Sequence, residues 1–427
     1  MLQAGNRRFF GEYIDKLILG GRLLLVAMNQ KNERITLIGC SEKTLAKMRK
    51  ESFRCPCCKG KVMMKAGRVM VPHFAHLSKE ECAASEPESV VHLQGKKHLF
   101  RWLSKQGYNV QLEMYFPAIK QRADLYIEKA KWRFAFEFQC SLITSEEVRK
   151  RTLGYKKLGI RVIWILNADL LKNGRGTECT LSSFQWSAAF GTMHAPRLFF
   201  YSPHNEQFTI LQHIIPFSSR QCFCNRWIKR MSAITLYDLL NMAPDHKNPL
   251  QRWHHKKLAW RINACRYADY SSPFFTALYE TNIAPATLPL EIGIPVPGGF
   301  MYETHCVEWQ FWLYRECMSK LSINEGFHRF DWRGTVVSLI KQQKISLRLL
   351  PGLSYLDAFW PADMYLEALV ILGILQEKSE GFYVFVKPLT PFHPKASQIE
   401  QNKHEKLWSI YSKLMKNSMD SYTKGAK

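Results

Sequence analysis

Residues 122–141 read RADLYIEKAKWRFAFEFQCS, and this stretch decides the fold. In its second half, apolar residues alternate with polar ones, which is the pattern of a half-buried β-strand. Side chains two residues apart in a strand share a face, so Glu137 and Gln139 project to one side. Phe136 and Phe138 project to the other. Two polar groups therefore lie side by side on a strand whose opposite face is typical of a protein core.

The segments around this stretch predict a compact α/β unit. Residues 109–116 alternate like another half-buried strand, and residues 161–166 form a continuous apolar run typical of a buried parallel strand. Thr144 and Glu147 have the spacing of a capping box, which predicts the start of a helix between them and that run. The order of helix, three strands, helix and strand predicts a right-handed crossover that returns the last strand beside the earlier ones.

Composition indicates a soluble protein with a polyanionic partner. The 427 residues include 60 Lys and Arg against 36 Asp and Glu, a formal charge of +24. Such a charge favours nucleic acid, here DNA, with an anionic membrane surface as the alternative. The apolar run LILGGRLLLVAM contains Arg22 and is too short to span a bilayer. Scattered cysteines fit reduced thiols, so we expect a cytoplasmic location and no membrane partner.

An acidic cluster is predicted where the strands of the opening stretch pair. Asp124 lies on one strand and Glu137 and Gln139 on the next, so pairing would bring their side chains within several ångströms. Such oxygen ligands suit Mg²⁺ or Mn²⁺, which can activate a water and stabilise the leaving oxygen of a phosphodiester. The alternative is a solvent-facing sheet edge whose acidic residues serve solubility.

A helix start is predicted just before this α/β unit. Ser85 has the position of an N-cap, Pro87 falls in the first turn, and Glu88 follows three residues after the cap. Glu88, His92 and Lys96 also recur on one helix face. Glu88 is therefore either a capping partner of Ser85 or a member of the acidic cluster.

These segments resemble the PD-(D/E)XK nuclease core, most closely that of the competence protein CoiA family. The resemblance rests on RADLYI, FEFQCS and EEVRKRTLGYKKLGIRVIWIL, and it implies a restriction-endonuclease-like fold that processes incoming DNA in transformation and recombination. It implies that Asp124 and Glu137 bind the metal, with Glu88 as a further catalytic residue. It also places the start of its relatives near residues 26–37, which makes the preceding residues an expected extension.

The sequence departs from the family pattern at Gln139, where many relatives place a lysine, as well as at the N-terminus. A Gln amide supplies no positive charge to hold the attacking water. Either Lys156 or Lys157 reaches into the site from the next helix, or the site is weak or inactive. The resemblance further implies that Arg149 and Tyr155 contact a phosphate or orient the site, although Arg149 also fits a solvated helix face.

A second candidate metal site lies upstream. Cys55 and Cys58 have the spacing of a zinc knuckle, and His73 and His76 are expected to complete a structural zinc site, with Cys82 as the alternative ligand. Cys57 would point away. The competing interpretation is a reduced cysteine cluster with incidental histidines.

From about residue 220, longer helical patterns rich in Trp and basic residues appear. The segment WHHKKLAWR, residues 253–261, mixes aromatic and basic residues in a way that could hold single-stranded DNA. Trp309 and Trp312 have the spacing of core residues.

These patterns predict three domains. They are an N-terminal hairpin and zinc module (1–84), a PD-(D/E)XK nuclease-like domain (85–200) and a mainly helical C-terminal domain (201–427). We expect a metal-dependent nuclease that acts on single-stranded or branched DNA, with recombination proteins as possible partners. The alternatives are a catalytically inactive DNA-binding accessory protein and a zinc-stabilised interaction adaptor.

Overall fold

The computed structural model describes residues 23–67, 70–77, 82, 89–173, 176–241, 248–250, 252–269, 271–354, 356–393 and 408–416. Within these ranges the chain forms a mixed α/β structure with two larger sheets and a group of C-terminal helices.

A small antiparallel sheet occupies the N-terminal part. Its elements are β1 (Leu23–Leu24), β2 (Val26–Met28), β3 (Arg34–Thr36), α1 (Glu42–Met48), β4 (Phe53–Arg54), β5 (Lys61–Lys65) and β6 (His73–His76). The strands lie in the order β1-β6-β5-β4-β2-β3. Phe53 and Phe74 pack with ring centroids 4.9 Å apart in a small core of its own. This core is separate from those of the main sheet, and the Cys/His segment forms part of it.

The main sheet begins with the predicted α/β unit. Its elements are α2 (Val90–Lys105), β7 (Val110–Phe116), β8 (Gln121–Lys129), β9 (Trp132–Gln139), α3 (Ser145–Lys157) and β10 (Arg161–Asn167). Strands β7, β8 and β9 form an antiparallel meander, and β10 lies parallel to β9 with Glu137 opposite Trp164. The predicted return of the last strand beside the earlier ones is therefore confirmed.

The starts of the two helices differ in how well the sequence predicted them. Thr144 caps α3 as predicted, with its Oγ1 accepting from the Glu147 amide at 3.1 Å. Helix α2 begins at Val90, where Ser89 Oγ accepts from the His92 amide at 3.2 Å. The N-cap is therefore Ser89 and not Ser85, because the hydroxyl one turn further along meets the helix amide. Residues 83–88, with Glu88 among them, lie outside the described residues.

The sheet continues beyond the predicted domain end at residue 200. The following elements are β11 (Lys172–Asn173), β12 (Glu178–Thr180), α4 (Ser183–Ser187), β13 (Phe190–Thr192), β14 (Ala195–Ser202), β15 (Gln207–Pro216), β16 (Gln221–Arg230) and α5 (Leu236–Asn241). Strand β14 pairs in parallel with β10, and β15 and β16 follow in antiparallel order. The position at residue 200 thus lies inside a central strand and not at an edge of the sheet.

Helices dominate the remainder of the described chain. They are α6 (Trp253–Arg266), α7 (Pro273–Glu280), α8 (Cys306–Cys317), α9 (Arg329–Lys341), α10 (Trp360–Ile371) and α11 (408–416), with short strands β17 (Gly326–His328), β18 (Leu353–Ser354), β19 (Leu375–Ser379) and β20 (Phe382–Phe385). One apolar core joins them to the main sheet, since Trp164, Leu198, Trp309 and Leu414 all belong to it. Trp309 and Trp312 are buried, which confirms their prediction as core residues.

Candidate functional site

Asp124 is fixed at the point where β8 and β9 separate. The regular pairing of these strands ends at the residue next to Asp124, and Asp124 Oδ2 instead accepts from the Phe138 amide at 2.9 Å. The same oxygen lies 3.1 Å from His92 Nε2, and Oδ1 lies 3.5 Å from Lys96 Nζ. The carboxylate is buried. It is therefore held between a strand amide and two side chains of α2.

The surroundings of Asp124 keep its carboxyl group ionised. Burial alone would raise its pKa, but His92 and Lys96, together with the Phe138 amide, outweigh burial. The pKa of Asp124 consequently lies well below its ordinary value. An ionised carboxylate is thus present on β8 at neutral pH.

Glu137 is buried on the α3 side of β9. Its Oε1 accepts from the Tyr155 hydroxyl and its Oε2 accepts from Arg151 Nη2, each at 2.5 Å. Burial raises the pKa of Glu137 to about 7 against the opposing effect of Arg151, and the charge of Asp124 adds to the rise. Tyr155 therefore orients Glu137, and Arg151 supplies its counter-charge.

The two carboxylates influence each other electrostatically but have separate partners. Asp124 is bound by α2, whereas Glu137 is bound by α3. In the part of the chain that the structure describes, neither belongs to a compact group of three ligating side chains. The arrangement offers two buried carboxylates on neighbouring strands, with an imidazole beside one of them.

The positive charge nearest Asp124 comes from α2, whereas the sequence pointed to lysines of α3 for this purpose. Gln139 Nε2 donates to the carbonyl oxygen of Ser141 at 3.0 Å, and Lys156 and Lys157 have exposed side chains at the end of α3. Lys96, in contrast, is fully buried and lies within ion-pair distance of Asp124. Lys96 lies four residues after His92, so both side chains lie on the same face of the helix, and this spacing could have identified Lys96 from the sequence.

Arg149 does not face this site. It forms an exposed ion pair with Glu146, three residues before it on α3, at 2.5 Å. The arginine that contacts the acidic cluster is Arg151, whose guanidinium also lies 5.3 Å from the centre of the Trp164 ring. The alternative interpretation of Arg149 as part of a solvated helix face fits the structure.

A Cys/His cluster is assembled in the N-terminal sheet. The possible ligand atoms of Cys55, Cys58, His76 and Cys82 all lie within 4.8 Å of one another. Cys58 Sγ is 3.4 Å from His76 Nε2, and Cys55 Sγ is 3.9 Å from Cys82 Sγ. Three thiols and one imidazole form a donor set that fits a tetrahedral structural zinc ion.

The fourth member of this cluster is Cys82 and not His73. Residues three apart in a strand point to opposite faces, and His73 and His76 are the two ends of β6. His73 is buried with its Nδ1 2.8 Å from the Val71 carbonyl oxygen. Cys57 is half-buried and interacts with Cys82 and Tyr115, outside the group of four.

Family models match the chain in three consecutive segments. The N-terminal domain of competence protein CoiA matches residues 37–85, the nuclease-like domain matches residues 88–244, and the C-terminal domain matches residues 248–399. The chain belongs to the CoiA family. Competence protein CoiA of Bacillus subtilis (strain 168) is 29% identical over 361 residues, which covers 84% of this chain and 96% of that protein. No solved structure is significantly similar to the chain.

The CoiA models cover the residues of both candidate sites. Cys55, Cys58, His76 and Cys82 fall in the N-terminal match. Asp124 and Glu137 fall in the nuclease-like match, which also includes β14, β15 and β16. In this chain, the nuclease-like match therefore covers the acidic cluster together with β7 to β16 of the main sheet.

In the C-terminal CoiA segment, three of the predicted DNA-contacting residues of α6 are internal, whereas His255 is exposed. Trp253, Lys257 and Arg261 are buried. Lys257 Nζ donates to the Leu290 carbonyl oxygen at 2.7 Å, and Arg261 Nη1 donates to that of Leu288 at 2.6 Å. These cations fix the helix against a neighbouring segment and have no free face for a phosphate. No helix in the described ranges has the length and apolar character needed to cross a bilayer.

Proposed function

We propose that this protein is a metal-dependent DNA nuclease with a PD-(D/E)XK-type core that acts on incoming DNA or recombination intermediates during natural transformation. The observation that carries the proposal is the buried Lys96 beside Asp124. The missing lysine at Gln139 argued for an inactive site, and Lys96 supplies the required positive charge from α2.

The donor groups fit a hard divalent cation. Asp124 and Glu137 would hold Mg²⁺ or Mn²⁺, and His92 stands next to Asp124 as a possible further ligand for Mn²⁺. Asp124 is ionised, and because the pKa of Glu137 lies near 7, a bound cation would favour the ionised form of Glu137. When bound, the cation lowers the pKa of a water molecule and stabilises the leaving oxygen.

The protein side chains have distinct roles in this proposal. Tyr155 and Arg151 hold Glu137 in one orientation, and His92 and the Phe138 amide hold Asp124. Lys96 is placed to stabilise negative charge that develops near Asp124. Because these groups are fixed by hydrogen bonds before DNA arrives, little reorganisation is required during the reaction.

DNA would be bound chiefly through its phosphates. The charge of +24 supports this type of binding. The structural zinc module and the C-terminal helices would then add surface around the nuclease-like unit. Recombination proteins remain candidate partners.

The proposal is tested by purified wild type, Asp124→Ala and Glu137→Ala on single-stranded and branched DNA with Mg²⁺ or Mn²⁺. Wild type should shorten the DNA, whereas both variants should bind it with unchanged affinity and leave it intact. Glu146→Ala, at an exposed acidic position on α3, is the matched control and should cleave like wild type. Cleavage by either active-site variant at the wild-type rate would exclude the assigned site.

A catalytically inactive DNA-binding protein is the second candidate. It is favoured by Gln139 and by the cations that already compensate Asp124 and Glu137. Lys96→Met separates the two candidates further, because Lys96 is buried and has no surface for DNA. A nuclease should lose cleavage with this substitution while it keeps DNA affinity. DNA that stays intact with wild-type protein at every metal concentration would favour the second candidate.

A further inference from the structure

Glu113 occupies an unusual backbone position next to the acidic cluster. The pairs on either side of it, Leu112 with Leu125 and Met114 with Ala123, place Glu113 opposite Asp124 between β7 and β8. The φ angle of Glu113 is +51°, in the left-handed region that residues other than Gly, Asn and Asp rarely adopt. Such strain persists only where surrounding interactions maintain it.

The interactions that maintain the left-handed backbone conformation of Glu113 converge on its carboxylate. This buried group accepts from Lys96 Nζ at 2.7 Å, from the Leu25 amide at 3.0 Å and from the Val26 amide at 3.3 Å. Arg34 of β3 adds a bond to the Leu112 carbonyl oxygen at 2.7 Å. The carboxylate thus joins the N-terminal sheet, the main sheet and α2 at one point.

Lys96 is shared unequally between two carboxylates. Its ammonium group is completely buried, 2.7 Å from Glu113 and 3.5 Å from Asp124. A buried cation must remain beside an anion, so its position depends on both partners. Glu113 therefore keeps Lys96 from forming a close ion pair with Asp124 and leaves Asp124 available for another cation.

We propose that Glu113 is a positioning residue that couples the N-terminal sheet to the acidic cluster by setting the position of Lys96. This inference rests on the proposed metal-dependent function of Asp124. It assigns to the N-terminal sheet a role beyond its own cysteine cluster, since the Leu25 and Val26 amides keep Glu113 in place. Removal of the Glu113 charge releases Lys96 towards Asp124, where it competes with the metal.

The first measurement is the affinity for Mn²⁺, determined from the electron paramagnetic resonance signal of the free ion at constant ionic strength. Glu113→Gln should weaken binding at the acidic cluster by roughly 10- to 100-fold, the range found for residues that orient metal ligands. Glu206→Gln is the matched control, because Glu206 has a φ of +50° but an exposed side chain. It should bind like wild type. Equal affinity in Glu113→Gln and wild type would overturn the proposal.

The second measurement separates positioning from simple loss of structure. In the double variant Glu113→Gln with Lys96→Met, the competing ammonium is absent, so Mn²⁺ affinity should recover towards the wild-type value. A structural defect alone would leave the double variant at least as weak as Glu113→Gln, and that result would contradict the proposal.

Amide exchange at Leu25 and Val26 tests the connection to the N-terminal sheet independently. A Gln side chain can accept with its oxygen but presents an N–H₂ group to the second amide. At least one of the two amides should therefore exchange faster in Glu113→Gln than in wild type, while Glu206→Gln should change neither. If wild type binds no Mn²⁺, the proposed function fails, and unchanged exchange in Glu113→Gln would reject the coupling as well.

Discussion

Gly95→Ala places a methyl group between α2 and β9, directly behind the acidic cluster. A Cβ at this position would lie 2.0 Å from Cε1 and 2.4 Å from Cδ1 of Phe138. The Phe138 ring is buried, and its own backbone amide holds Asp124. His92 and Lys96 flank Gly95 on the helix. The absence of a side chain at Gly95 therefore lets α2 approach β9 closely enough for both residues to reach Asp124.

Two opposing contributions determine the stability of this variant. Replacing Gly by Ala in a helix stabilises by about 0.5–1 kcal/mol. Inserting a methyl group into a packed core costs about 1–3 kcal/mol, and a contact of 2.0 Å with a buried ring belongs in the upper half of that range. We expect a net loss of about 1–2.5 kcal/mol in the free energy of unfolding.

Urea denaturation of Gly95→Ala and Gly334→Ala measures this difference. Gly334 lies within α9, and no atom lies within 4 Å of its added Cβ. Gly334→Ala should therefore stabilise by about 0.5–1 kcal/mol through helix propensity alone. A Gly95→Ala variant as stable as Gly334→Ala would refute the close packing of α2 on Phe138.

Three other predictions concern zinc, pH and salt. Elemental analysis of purified protein should find about one zinc per chain. The zinc should be lost in Cys82→Ser but retained in His73→Gln and in Cys57→Ser. Loss of zinc in His73→Gln would contradict the assigned group of four ligands. Burial lowers the pKa of His305 to about 3, so only the unfolded chain gains this proton below about pH 6.5. Between about pH 7.5 and about pH 5.5, denaturant titration should show that wild type loses about 1 kcal/mol more unfolding free energy than His305→Asn. Equal losses would argue against a neutral imidazole at His305 in the folded protein. DNA affinity should fall steeply in a salt series followed by fluorescence anisotropy, whereas a nearly constant affinity would exclude phosphate-based binding.

The elements predicted correctly are those that depend on neighbouring residues in the chain. The alternation in β9, the apolar run of β10 and the Thr144 cap each act within one element. Once their order is known, a short crossover through α3 places β10 parallel to β9, at the edge that β8 leaves open. Asp124 and Glu137 could therefore be located on adjacent strands from the sequence.

The partners of these carboxylates depended on tertiary packing and could not be predicted in the same way. A lysine is ordinarily exposed, and Lys96 is buried only because Glu113 and Asp124 compensate its charge. Likewise, Lys257 and Arg261 belong to a sequence pattern that is typical of a DNA-binding surface. Their carbonyl partners, Leu290 and Leu288, lie 33 and 27 residues away in the chain, so the sequence does not reveal these contacts. Basic residues on a helix do not reveal which of them face inward.

The choice of zinc ligand required the conformation of a short segment. His73 and His76 would lie on the same side of a helix, but in a strand their side chains diverge. The sequence identified a pair of histidines without establishing that the segment is extended. The sequence alone therefore predicts His73 as a ligand and Cys82 only as the alternative.

The parallel pairing of β10 with β14 affects how the chain folds during synthesis. When β10 leaves the ribosome, one of its edges has no neighbour until β14 has been synthesised. The apolar face of the sheet stays uncovered for longer, until the helices that contain Trp309 and Leu414 have been synthesised. An unpaired strand edge beside uncovered apolar surface is prone to aggregate. The nascent chain should therefore depend on chaperones until translation is nearly complete. For the same reason, a fragment that ends at residue 200 should be insoluble, because it lacks the strands and helices that cover the sheet.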